Sequence, residues 1–81
     1  MTLEDEVRAV LGEVLQLGDR ANLLVRDSSL LGTLPELDSM AVVSVVAGLE
    51  ERFAVQLDDD EISADTFSTL GTLVDLIKSK R

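Results

Sequence analysis

The chain has 81 residues, sixteen acidic against seven basic, and contains neither cysteine nor histidine. That composition excludes disulfides, thiolate or imidazole metal sites and a thiol nucleophile of the chain's own, and it removes the commonest general base. A net charge of −9 repels phosphate backbones and anionic membrane surfaces, which sets aside nucleic acid and membrane insertion and favours partner enzymes with basic patches.

The length fits one domain spanning residues 1–81, small enough to bury only about 60% of the surface its unfolded chain exposes. Phe53 and Phe67 are its only aromatics, so Leu and Val must fill most of the core. The opening Met1-Thr2-Leu3-Glu4-Asp5-Glu6 has no signal-peptide character. No stretch is long enough to span a bilayer, and a cytoplasmic monomer is expected.

Thr2 can cap a first helix whose opening turn carries Glu4, Asp5 and Glu6, where the helix dipole is positive. Leu3, Val7, Val10, Leu11, Val14 and Leu15 recur at three- and four-residue spacing, which predicts a helix from Leu3 to about Leu17 ended by Gly18. From Asp19 to Glu36 no period is sustained, and Ser28-Ser29, Gly32 and Pro35 mark a long loop with room for a short helical turn. Leu23, Leu24, Leu30, Leu31 and Leu34 are expected to pin that loop onto the core.

The stretch from Met40 to Leu49 is apolar almost all round, and its four valines favour a strand locally. A helix is nevertheless predicted. Asp38 or Ser39 can cap it, Val42, Val46, Leu49 and Phe53 follow at helical steps, and Glu50-Glu51-Arg52 completes a polar side. Gly48 weakens such a helix by up to about 1 kcal/mol relative to alanine, which implies close packing there or a tolerated weakness. Val55 and Leu57 then lead into Asp58-Asp59-Asp60-Glu61 and Ile62-Ser63-Ala64, read as one short helical turn. A last helix capped by Ser68 or Thr69 buries Leu70, Leu73, Val74 and Ile77 and ends on Lys78, Lys80 and Arg81. The chain is thus all-α, with three main helices, one short helix and a long loop between the first and second.

Ser39 stands at the first turn of the second helix, where an attached phosphate would meet unpaired backbone amides. On the Asp38-Ser39 dipeptide alone, the ordinary reading is a helix cap. The wider pattern is more specific: Asp38-Ser39-Met40, then Leu49-Glu50-Glu51 beginning ten residues beyond the serine and Phe53 fourteen beyond, then an acidic turn and a final aliphatic helix. Over essentially its whole length the chain resembles the acyl carrier protein family. The resemblance implies a four-helix bundle that presents Ser39 to a phosphopantetheinyl transferase, which attaches 4′-phosphopantetheine from coenzyme A. The arm would import the thiol that the sequence lacks.

The resemblance also implies roles for the neighbours. Glu36, Asp38, Met40, Val43, Ala47, Glu50 and Glu51 would meet partner enzymes, among them acyl or aminoacyl ligases, acyltransferases and synthases with basic or apolar docking patches. An apolar cleft between the second and last helices, lined by Val46, Leu49, Ile62, Phe67 and Leu70, would shelter the cargo. Two departures from the family pattern stand out. Ala41 and Ser44 replace the acids that carriers of fatty acid synthesis place one turn into this helix, and Leu34-Pro35-Glu36-Leu37 replaces a more usual glycine-containing approach. They point to an acyl carrier of a specialised lipid, polyketide or envelope pathway. Carriers of D-alanine share the Asp-Ser-Met form, so an aminoacyl cargo is the alternative. An unmodified acidic helical interaction module is the second.

The cluster Asp58 to Glu61 lacks the glycine and terminal glutamate of an EF-hand loop, and no metal site is expected. No base or glycine-flanked nucleophile elbow accompanies any serine, so no catalytic residue is assigned and an enzyme is not expected.

Overall fold

The computed structural model describes residues 2–80 and contains α1 at Leu3–Val14, α2 at Ser39–Phe53 and α3 at Leu70–Lys80. Two 3₁₀ turns, Gly18–Leu23 and Asp59–Glu61, lie in the connections. Among the described residues the only β-type pairing is an isolated antiparallel bridge between Ser29 and Thr69. The second 3₁₀ turn is the expected short helix, and Arg81, expected at the end of the last helix, lies outside the described residues, as does Met1.

α1 opens on a reciprocal cap, the Thr2 hydroxyl accepting from the Asp5 amide at 3.1 Å while the Asp5 carboxylate accepts from the Thr2 amide at 3.3 Å. The Thr2 amide, followed by the Arg8 guanidinium, holds the Asp5 carboxyl below its usual range. Arg8 pairs with Glu4 and Asp5 and also donates to the Leu24 carbonyl at 2.9 Å, which fastens the long loop to α1. The helix stops at Val14, short of the expected Leu17. Leu15 and Leu17 are both buried, yet two residues apart they would face opposite sides of a helix. Gln16 turns left-handed at φ 55° and brings both inward, ahead of Gly18. The Leu17 amide then donates back to the Gly12 carbonyl at 3.0 Å, closing the helix end.

The long connection is pinned by more than its leucines. Leu24 and Leu30 are buried, and Leu31 and Leu34 pack against the core, but Leu23 is 76% exposed. In a 3₁₀ turn residues three apart share a face, so burying Ala21 and Leu24 points Leu23 outward. Beyond it the backbone runs beside residues 67–71. Leu30 donates to Ser68 at 2.9 Å and Leu31 to Phe67 at 3.2 Å, while the first amides of α3, Leu70 and Gly71, donate to Ser28 and Arg26. Groups that a helix start leaves unpaired are thereby satisfied by the loop. Arg26 adds an ion pair to Asp75 at 3.0 Å.

α1 packs against both α2 and α3. Gly48 sits tightly against α1, since a Cβ there would lie 3.2 Å from Val10 Cγ1 and 3.3 Å from Val14 Cγ2. α2 consequently turns Val45, Val46 and Leu49 inward, with Val42 and Phe53 of the expected stripe only half-buried. Thr69 caps α3, its hydroxyl accepting from the Thr72 amide at 3.1 Å, and Leu70, Leu73, Val74 and Ile77 are buried as expected.

Candidate cofactor-attachment site

The site is built on the start of α2. Leu37 is buried and anchors the approach, and Asp38 takes an extended conformation in which its carboxylate accepts from the Ala41 amide at 2.8 Å. Its carbonyl accepts from Val42 at 2.9 Å. Asp38 is therefore the cap, and Ser39, the first helical residue, is exposed. The Ser39 and Met40 amides have no partner among the described residues. An outward hydroxyl beside two free N–H groups at the positive end of a fifteen-residue helix suits a phosphodiester.

An open cleft of about 300 Å³ adjoins the hydroxyl, lined by Leu31, Ser39, Val42, Ile62, Ser63, Ala64 and Phe67. It lies between the first turn of α2 and the 62–67 connection, and not between α2 and α3. Ile62 and Phe67, expected on a cleft between the second and last helices, line this one. Val46, Leu49 and Leu70 do not, being at most 7% exposed within the closed core. Val42 follows Ser39 at a three-residue helical step and was legible from that spacing. Leu31 had no such signal, because the backbone pairing with residues 67–71 places it.

The far wall of the cleft is held by its own network. Glu61 accepts from the Asp58 amide at 3.0 Å and pairs with Lys80 of α3 at 2.6 Å. The Lys80 ammonium, and after it the Asp58 amide, lowers the Glu61 carboxyl, and the same pair raises Lys80. Thr66 donates to the Glu61 carbonyl at 2.5 Å, and the Ser63 hydroxyl accepts from the Thr66 amide at 3.3 Å.

The residues expected to face partners divide into two groups. Met40 is 79% and Val43 68% exposed, and Ala47 and Glu51 are exposed with them along one outward stripe of α2. Glu36, by contrast, is ion-paired with Arg20, Asp38 is the cap, and the Glu50 carboxylate accepts from the Leu57 amide at 2.8 Å, fixing the chain that leaves α2. Among the described residues no group of three or more acids is placed to hold a metal, and no helix is long and apolar enough to cross a membrane.

Residues 3–77 match the family model described as the phosphopantetheine attachment site. The acyl carrier protein of Chlamydia trachomatis serovar D is 32% identical over 81 residues, which cover all of this chain and 99% of that one. The acyl carrier protein of Desulforapulum autotrophicum is 30% identical over 80 residues, 99% of each chain. The solution structure of a holo acyl carrier protein from Nitrosomonas europaea matches with a TM-score of 0.87 at 54% identity, covering 98% of this chain and 94% of that one.

Proposed function

The chain belongs to the acyl carrier protein family, and we propose that Ser39 is the residue that carries its 4′-phosphopantetheine arm. Its work is to carry and not to catalyse. The arm supplies a thiol that holds the acyl group as a thioester, in a chain with no cysteine of its own. The observation that carries the assignment is the position of Ser39: exposed, first in α2, beside two unpaired amides and the mouth of an apolar cleft.

In this reading the chain's own residues divide the labour. Asp38 fixes the helix start so that the Ser39 oxygen faces the transferase, and the Ser39 and Met40 amides steady the phosphodiester once it forms. Leu31, Val42, Ile62 and Phe67 offer apolar cover to the near end of the cargo. Met40, Val43, Ala47 and Glu51 form the surface offered to transferases, ligases and synthases. Glu36, Asp38 and Glu50 shape that surface through the contacts they already make. The uncharged Ala41 and Ser44 favour a specialised lipid, polyketide or envelope pathway. The high negative charge keeps copies of the chain apart, in keeping with a one-domain monomer serving cytoplasmic enzymes.

Intact mass spectrometry tests the assignment. After incubation with coenzyme A and a broad-range phosphopantetheinyl transferase, the protein gains the mass of one arm and Ser39→Ala gains nothing. An unmodified wild type, or a modified Ser39→Ala, contradicts it.

A further inference from the structure

We infer that Arg20, in the connection that follows α1, is a positioning residue for the loading of Ser39. The inference rests on Ser39 being the attachment site. Arg20 pairs with Glu36 across sixteen residues of chain, and Glu36 stands three residues before the serine. The other residues of this approach to α2 are held by different means. Leu34 packs on the core, Leu37 is buried, the Pro35 ring fixes its own φ, and Asp38 is bound to the Ala41 amide. Glu36 is only half-buried, and among the described residues its side chain is fastened by Arg20 alone. Its carbonyl accepts from the Asp38 amide at 3.2 Å. The setting of Glu36 is thereby passed to the cap, and from the cap to the serine.

The other end of the pair is anchored elsewhere. Arg20 belongs to the 3₁₀ turn Gly18–Leu23, which packs on α1 so tightly that a Cβ on Gly12 would lie 2.9 Å from Ala21 Cβ. Arg20 thus ties the approach to α1, the helix against which α2 also packs. The second carboxylate oxygen of Glu36 is shielded from water and has no hydrogen-bond partner among the described residues. A carboxylate so placed depends on the charge of Arg20, because a shielded ion that loses its partner is left short of both charge and hydrogen bonds. Without Arg20 it would swing towards water and loosen the hold of the Glu36 backbone on the Asp38 amide. The Arg20 side chain is itself 51% exposed, so global stability depends little on it. Its effect falls on where the Ser39 hydroxyl stands.

Initial rates of loading by a broad-range transferase with coenzyme A, followed by intact mass, test this. A group that only orients the hydroxyl acts on kcat, whereas one that touches the enzyme acts on KM. Arg20→Met should lower kcat at least about threefold, with KM within about twofold of wild type and circular dichroism unchanged. Arg20→Lys, which keeps the charge, should stay within about twofold in both constants. With Glu36→Gln measured alongside, the double variant Arg20→Met/Glu36→Gln should lose no more than Arg20→Met alone, since the two residues act as one unit. An unchanged kcat in Arg20→Met, a loss confined to KM, or a double variant that loses the product of the two single losses overturns the positioning role while leaving Ser39 as the loaded residue. A wild type that gains no arm overturns both.

Discussion

Val43 and Val45 stand two residues apart in α2, the first 68% exposed beside Ser39 and the second fully buried. The same side chain therefore serves two ends in one helix. Where Gly48 lets α1 approach, valine and leucine are withdrawn from water and stabilise the bundle. On the outward stripe, Met40 and Val43 remain in water, an exposed apolar patch that the proposed function offers to partner enzymes. Apolar content alone could not have assigned either face. What separates them is which side of the helix the glycine turns towards its neighbour.

Substitutions that treat the two faces alike should give unlike results, and the largest difference is on the inward side. Leu49→Ala should cost about 2–5 kcal/mol in urea unfolding, because the side chain is fully buried and its loss leaves a cavity. Val45→Ala should cost about 2 kcal/mol for its two buried methyl groups and the space they leave, whereas Val43→Ala should stay within about 0.5 kcal/mol of wild type. Equal losses at these two valines would dissolve the distinction between the faces.

Gly48→Val asks whether the contact with α1 orients the helix. Its side chain would enter space already bounded by Val10 and Val14, at a cost of about 1–3 kcal/mol by thermal unfolding. Asp38→Ala removes the cap that both faces share and should cost about 0.5–2 kcal/mol, seen as lower stability and faster amide exchange in the first turn of α2.

The smallest effect lies across the cleft from α2. Glu61 is lowered by Lys80 from an ordinary 4.5, so the folded chain holds that proton less tightly than the unfolded one. The pair's stabilisation is present above 4.5 and fades as pH falls through the lowered value. Lys80, raised above an ordinary 10.5, contributes below that value and loses its contribution as pH rises through the raised one. Lys80→Met should flatten both limbs of a stability–pH curve and leave the behaviour near neutrality little changed, since the pair is partly exposed.

The helices were legible because they depend on local patterns, whereas the reading of Ser39 rested on a resemblance over the whole chain. The cap at Thr2, a cap at Asp38 or Ser39, and the α3 stripe all follow from spacing over a few residues. The stop at Val14 was not legible, since it answers to the burial of Leu15 and Leu17 together by a left-handed glutamine. The pairing of residues 26–31 with 67–71 was equally hidden, because backbone hydrogen bonds carry no side-chain signature. That pairing also explains the cleft. Leu31 lines it through the loop, while Val46, Leu49 and Leu70, expected on a cleft from the family resemblance, close the core instead. The acids at positions 36, 38 and 50 read as a recognition surface in sequence, and only their partners reveal them as parts of the scaffold.

The most direct test of the account is to locate the arm on the modified protein by fragmentation mass spectrometry. The peptide between Arg26 and Arg52 contains Ser28, Ser29, Ser39 and Ser44, so the fragment series must choose among them. The arm is predicted on Ser39 alone. Its appearance on Ser28, Ser29 or Ser44, or on a serine outside this peptide, would contradict the central claim.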